Sequence, residues 1–334
     1  MAHIGAIKEL EKYSEYFDIK DIRGVSVGSM VGALYAVGYN ADELTKIMFE
    51  LDFDKLIKDS YFAYVRLYEK YGMYEAKKLE DEMERLIATK TNIKYCTFCQ
   101  IEKNLTIIAT NLNYQKPVFL NRKNTPDLPI SKAIRMSISY PLIMTPVEYE
   151  GDMYGDGGEF INYPISTFRN LDETLGITFA AHNENSNGTL KSRINITDIY
   201  SYVKSVAHTL SRANYISQIT EKYLNRSIII HIKENVSSMQ FNLTPEQKKN
   251  IYQCGIDAVR EQIGKILGLS DNLLSQIEPI KNSVDNSVTS TKFDGSDPLV
   301  DSPVGTSTVS PLEYPIFNEI IDTIIACQLL TAEY

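Results

Sequence analysis

Gly24-Val25-Ser26-Val27-Gly28 sets a serine in a G-x-S-x-G pattern, and the chemistry open to such a serine is nucleophilic attack on an acyl carbonyl. A free hydroxyl is a poor nucleophile, so a neighbouring base has to take its proton. A second group of interest is Asp156-Gly157-Gly158, which precedes Asn162-Tyr163-Pro164-Ile165. Taken alone it reads as a Gly-rich turn with a solvated acid. His182, His208 and His231 follow Asp156 and would complete a Ser…Asp…His order. None of the three has a motif around it, and His3 lies in the first helical stretch, so each reads as a packed or surface histidine.

G-x-S-x-G also arises by chance in loops, so its flanks carry the meaning. Asp21-Ile22-Arg23 leads in as a short strand, and Ser29 to Gly38 reads as a buried helix rich in small residues. A sharp strand-to-helix turn between them is a nucleophile elbow. Side chains at Gly24 or Gly28 would clash where strand and helix nearly touch. The helix N-terminus favours developing negative charge, and the Val27 N–H beside the nucleophile can donate to it. Around the elbow the pattern is a mixed βα one. Near-continuous apolar runs at 22–25, 105–110, 175–181 and 228–232 predict strands buried on both sides, in a central sheet flanked by helices. Val118-Phe119-Leu120 is a hairpin partner, and a second hairpin turning at Glu150-Gly151-Asp152 delivers Asp156. Helices are expected at 2–16, 41–51, 75–88, 198–223 and from Thr244-Pro245 to Leu267. The aromatic stretch from Phe53 to Tyr74 reads as core, with the lining of a lipid-binding cleft as the alternative.

A serine in G-x-S-x-G, then D-G-G followed by N-Y-P-I, resembles the patatin-like phospholipase family. Ala2-His3-Ile4-Gly5-Ala6-Ile7-Lys8-Glu9-Leu10, Thr97-Phe98-Cys99-Gln100-Ile101 and Ala133-Ile134-Arg135-Met136-Ser137-Ile138-Ser139 extend the resemblance, in the family's order, to about Leu267. It implies a three-layer α/β fold with a mostly parallel sheet. It also implies a Ser–Asp dyad, with Ser26 as nucleophile and Asp156 as its direct base, cleaving acyl esters of phospholipids or related lipids through an acyl-enzyme. No cofactor and no metal is implied. Members carry a strand and a G-G-G-x-R/K-G loop just before the helix matching Ala2-His3-Ile4-Gly5, and Met1 falls inside or after that loop. The expectation is therefore a gap or exposed edge in the sheet and one remaining oxyanion donor, Val27 N–H, with weak hydrolysis as the result. A non-catalytic lipid-binding protein of the same fold is the alternative from a different class, and a general esterase or thioesterase is a third reading.

The 334 residues suffice for one large domain. A net charge of −9 argues against nucleic acid as the partner, since phosphate binding needs a basic patch. No signal pattern and no run long enough to span a bilayer is present, which predicts a cytoplasmic protein, peripheral to membranes at most. Cys96-Thr97-Phe98-Cys99 has C-x-x-C spacing, but no second pair completes a zinc site, so two ordinary thiols are expected. Residues 1–268 read as the phospholipase-like domain and 269–315 as a flexible linker. Residues 316–334 read as an apolar helix through Phe317, Ile320, Ile321, Ile324, Ile325 and Leu329, docking on the domain or on another copy.

Overall fold

The computed structural model describes residues 1–58, 63–180, 195–233, 236, 240–269 and 322–327. Helix α1 (Ala2–Leu10) is buried at eight of its nine positions and passes through a short 3-10 turn to strand β1 (Asp18–Val25). The elbow follows at once, and α2 (Val27–Ala36) starts one residue after the strand ends. Helix α3 (Ala41–Glu50) opens with a capping box, in which Asn40 and Glu43 each accept the other's backbone N–H. Then come α4 (Phe53–Ile57), α5 (Ala63–Lys70), the short strand β2 (Gly72–Tyr74) and the charged helix α6 (Lys77–Thr91).

The middle of the chain builds the sheet around the elbow. Strands β3 (Asn104–Asn111) and β4 (Lys116–Asn121) form the expected hairpin, and α7 (Ile130–Ser137) packs against β3. Strand β5 (Leu142–Met144) pairs in parallel with β2. Strands β6 (Val147–Tyr149) and β7 (Asp152–Asp156) make the second hairpin, its tip formed by Glu150 at φ 51° and Gly151 at φ 85°. Strand β8 (Thr174–Phe179) is buried at all six positions. Because alternate side chains point to opposite faces, both faces of the sheet must be covered there. The stretch expected as one helix over 198–223 is α8 (Ile199–Gln218) and a separate turn, α9 (Glu221–Leu224). Strand β9 (Ser227–Ile230) and α10 (Pro245–Leu267) follow, α10 capped by Thr244 and ending at Gly268 in the left-handed region.

Three expectations are corrected. The C-terminal apolar stretch is not a helix over Asp322–Cys327, where the chain runs as strand β10. Nor does the sheet show a gap beside the elbow strand. The order is β6-β7-β3-β1-β10-β8-β9, with β4 also on β3, so β1 is paired on both sides. Strand β10 runs parallel to both its neighbours, setting Ile22 opposite Ile325 and Leu175 opposite Ile325 on the other side. The rest of 316–334, and the linker from 270 to 315, lie outside the described residues. The aromatic stretch is only partly core: Ile57 is buried, but Tyr64, Tyr68 and Tyr71 are exposed.

Candidate active site

Strand β3 is the ruler that sets the site. Its residues 106–111 pair with β4 along one edge. Along the opposite edge it carries two strands end to end, β1 over 104–108 and β7 over 109–111. Val25 closes β1 opposite Ile108, and Asp156 closes β7 opposite Ala109. Two adjacent residues of one strand thus bring together the ends of two strands that run toward each other. Ser26 leaves the first end and Asp156 sits on the second. Its hydroxyl donates to Asp156 Oδ2 at 2.7 Å.

The serine is held in a backbone conformation few residues adopt, φ 51° and ψ −131°, which typically costs about 1–3 kcal/mol. Surrounding bonds hold it there. Its N–H donates to Ser137 Oγ at 2.9 Å, and Ser137 Oγ in turn donates to the Ile108 carbonyl at 2.6 Å. Its carbonyl accepts the Ser29 N–H at 2.9 Å, in the first turn of α2. Gly24 is needed because a Cβ there would lie 2.6 Å from the Ser29 Cα. Gly28 is buried in the first turn of α2, and the Val27 N–H stands next to Ser26 at that helix's N-terminus.

Asp156 is 3% exposed and fully engaged. Its other carboxylate oxygen, Oδ1, accepts the Gly158 N–H at 2.7 Å. Its backbone N–H donates to the Ser139 carbonyl, and its own carbonyl accepts from Thr110 Oγ1. Burial pushes its carboxyl up to about 6, against the opposing pull of the bonds from Ser26 and Gly158. Gly157 turns the chain directly over the Ile108 carbonyl. The next acid, Glu159, is pushed up to about 8 by burial and by the charge of Asp156, and its Oε1 is buried without a hydrogen-bond partner.

Both carboxyls titrate higher in the fold than their ordinary values near 4, so the folded chain holds these protons more tightly than the unfolded one. Their contribution to stability is full below about pH 4 and is lost as pH rises, through about 6 for Asp156 and about 8 for Glu159. Thermal melts at pH 4, 6 and 8 should therefore show the natural chain losing ground to an Asp156→Asn/Glu159→Gln variant as pH rises. Parallel pH dependence in the two would show that these groups are not buried acids.

Ser26 and Asp156 line a cavity of about 180 Å³ with mostly apolar walls, among them Val27, Met30, Phe53, Ile57, Leu79 and Met144. Ser211 of α8 forms part of the wall. Lys248 ties one side down, its Nζ donating to the carbonyls of Met48, Phe49 and Leu51 at the C-terminus of α3. The C-terminal half of α8 braces the segment after Gly158. Gln218 Oε1 accepts the N–H groups of Asn162 and Tyr163, and Asn214 donates to the Phe160 carbonyl.

The histidines stand elsewhere. His3 meets Phe179 edge-on with ring centroids 5.0 Å apart, His208 lies 3.3 Å from the Tyr140 hydroxyl, and His231 is exposed. His182 lies outside the described residues. Cys96 and Cys99 are both free thiols, and among the described residues no group of His, Cys, Asp and Glu could hold a metal. No helix among them is long and apolar enough to cross a membrane. Sequence reading passed over two residues as individuals. Ser137 is one. The other is Arg135, which is 2% exposed and donates to the Glu75 and Thr145 carbonyls and to Ser139 Oγ, clamping the stretch that carries Tyr140 and Met144. Both stood inside the Ala133–Ser139 stretch, where a buried arginine among apolar residues was the available signal.

The sequence pattern of the Patatin family, patatin-like phospholipase, matches residues 1–169, a span that holds the elbow and the D-G-G turn. The chain belongs to the patatin-like phospholipase family. Among relatives, an uncharacterised protein R571 of Acanthamoeba polyphaga mimivirus is 58% identical over 268 residues, covering 80% of this chain and 90% of that protein. The cGAMP-activated phospholipase of Escherichia coli is 26% identical over 183 residues, 50% of this chain and 49% of its own length. Among solved structures, VipD from Legionella pneumophila superposes with a TM-score of 0.50 at 16% identity, over 80% of this chain and 64% of VipD. At that identity VipD speaks to the fold alone, and the fold is the α/β one with its sheet between helices that this patatin-like chain shows.

In this patatin-like site Ser137 bridges the Ser26 N–H to the Ile108 carbonyl. Ser137→Ala is expected to lower stability by about 1–2 kcal/mol, the cost of leaving such groups unpaired. With Ser26 as nucleophile, the reading proposed below, it should also lower kcat by about tenfold or more with little change in KM, since the position of Ser26 rather than substrate binding suffers. Urea denaturation and steady-state kinetics check this, and an unchanged kcat would show that the elbow holds itself.

Proposed function

We propose that the chain is a serine acyl hydrolase acting on fatty-acyl esters of phospholipids or related lipids, with Ser26 as nucleophile and Asp156 as its base. The observation that supports it best is the 2.7 Å bond from Ser26 Oγ to a buried carboxylate in the lining of an apolar cavity. Ser26 Oγ attacks the ester carbonyl carbon while its proton passes to Asp156 Oδ2, and a C–O bond forms. The tetrahedral intermediate collapses with cleavage of the bond to the leaving alcohol, which receives that proton. Water then gives its proton to Asp156 and attacks the acyl-enzyme, and the Ser26 oxygen leaves with the proton as the acid is released. The Val27 N–H is the donor placed to meet the oxyanion. An unpaired carboxylate with its pKa near 4 would be a weak base, whereas one held at about 6 is a stronger base and still ionised at neutral pH.

A fluorophosphonate probe tests the reading without any choice of lipid. It should label Ser26, found by mass spectrometry of the labelled peptide, and fatty acid should be released from phosphatidylcholine vesicles. Absence of labelling at Ser26 together with absence of release would sink the proposal. The pH profile adds an independent check. The value of kcat/KM should fall about tenfold per unit below pH 6, because protonated Asp156 cannot accept the hydroxyl proton. A flat profile between pH 4.5 and 7 would mean another group is the base.

A further inference from the structure

The side chain of Asn162 is polar, buried and idle. The residue is 6% exposed and lines the same cavity as Ser26 and Asp156. Its backbone is pinned, the N–H donating to Gln218 Oε1 at 3.0 Å. Its carboxamide has no hydrogen-bond partner among the described residues. Other polar groups in the lining are provided for. Lys248 is bound to three carbonyls, the Tyr140 hydroxyl lies 3.3 Å from His208, and Ser211 and Gln240 are only half-buried. A buried amide left unbonded destabilises a fold, so the partner of this one is to be sought in the cavity it lines. Its place there is specific. A Cβ built on Gly158 would lie 2.9 Å from Asn162 Oδ1 and 3.1 Å from Asp156 Oδ1. The amide thus stands beside the base, next to the carboxylate oxygen that does not hold Ser26.

We propose that Asn162 is a further catalytic side chain, whose carboxamide binds the water that frees the acid from Ser26 and aims it at the acyl carbon. The inference rests on the acyl-ester reading above and assigns a group to the second half of that reaction. Once Ser26 carries an acyl group it has no proton to donate, and Asp156 Oδ2 is open to water. That water has two hydrogens. Asp156 accepts one, and a second acceptor has to hold the other if a lone pair is to point at the acyl carbon. A carboxamide supplies that acceptor in its oxygen. The water oxygen then bonds to the acyl carbon as one water proton passes to Asp156 Oδ2. The bond from that carbon to Ser26 Oγ breaks, and the proton returns to Oγ. Asn162 neither gains nor loses a proton, and its contribution is orientation.

A p-nitrophenyl ester separates the two halves, since its leaving phenolate departs without a proton from Asp156. Asn162→Leu keeps the size of the side chain and removes its polarity. It is expected to release a full burst of p-nitrophenol at the natural rate, followed by turnover slowed about tenfold or more. The value of kcat/KM should stay as it was, because kcat and KM fall together when only deacylation suffers. Intact-mass spectrometry should catch the acyl group on Ser26, decaying about tenfold more slowly or worse. Hydroxylamine, a nucleophile that needs no base, should restore most of the lost turnover. The melting temperature should hold or rise, since hydrocarbon replaces an unbonded buried amide. Should the leucine variant fail to fold, Asn162→Ala carries the same comparison. A burst rate and kcat/KM that fall in step would place the amide at the oxyanion or in the scaffold and overturn the proposal. An acyl-enzyme that decays at the natural rate would overturn it too, while leaving the hydrolase reading intact. Failure of the chemistry looks different. A natural chain that neither takes the fluorophosphonate at Ser26 nor turns the ester over loses the hydrolase reading itself, and the role of Asn162 falls with it.

Discussion

Ser26→Ala is expected to abolish ester hydrolysis, with a fall in kcat of about four orders of magnitude or more. Asp156→Asn should match it closely. On the proposed mechanism the two side chains act as a unit: the hydroxyl is activated by the carboxylate 2.7 Å away, and that carboxylate has its remaining oxygen occupied by the Gly158 N–H. No described histidine is placed to stand in, since His3 and His208 are committed to Phe179 and Tyr140. An asparagine at 156 can keep the contact with Ser26 but cannot take its proton, so labelling by a fluorophosphonate should fall along with turnover. The double variant should be no worse than either single one, the signature of residues that serve one step. Fatty-acid release measured for all four proteins checks this. Equal rates in the natural chain and Ser26→Ala would remove the enzyme reading altogether.

Gly157→Ala should have the next largest effect, through one added carbon. A Cβ at 157 would lie 2.2 Å from the Ile108 carbonyl oxygen and 2.7 Å from its carbon. No real contact is that short, and what stands there is backbone rather than a flexible side-chain end. The same carbonyl is already the acceptor for Ser137 Oγ. Relief therefore has to come from moving either β3, with which both the strand before Ser26 and the strand ending in Asp156 are paired, or the turn after Asp156. Overpacking of this kind costs about 3 kcal/mol in stability. A displacement of about 1 Å at the reacting groups costs about a hundredfold in rate. Denaturant midpoints and kcat together test it. A stable, fully active Gly157→Ala would mean that the turn is not held against β3.

What could be read from the sequence was what lay close together in it. The elbow is such a case: strand, glycine, serine, glycine and helix occupy consecutive residues, and local sterics alone demand the small ones. The hairpin that delivers Asp156 was legible for the same reason, because Glu150-Gly151 announces its turn. That Asp156 meets Ser26 came only through family resemblance. The contact spans 130 residues and depends on β1 and β7 sharing one edge of β3, a matter of register that no local pattern encodes. Ser137 was hidden in the same way, since a serine at the end of a short amphipathic helix has many ordinary uses. The misread C-terminal stretch has a different cause. Asp322-Thr323-Ile324-Ile325-Ala326-Cys327 is short, apolar and rich in β-branched residues. Such a run satisfies a helical stripe and a strand buried on both faces equally well, and only its neighbours decide between them. Tyr64 and Tyr68 misled for a simpler reason, as four-residue spacing puts them on one face of α5 without saying which way that face looks.

The place of β10 makes it a keystone. Among the described residues, strands β6, β7, β4, β3 and β1 form one hydrogen-bonded block and β8 with β9 another, and only β10 joins them. Ile22 must wait for Ile325 before its edge of the sheet is closed. On the ribosome, then, this domain cannot mature vectorially. Its two blocks emerge early, each with an open parallel edge beside the centre of the sheet, and both stay adhesive until Asp322–Cys327 has been made. Such long-range closure is slow by nature, and in that interval a strand from a neighbouring nascent chain could enter the same slot. Yield in the cell should therefore depend on chaperone supply and expression temperature more than the stability of the finished protein would suggest.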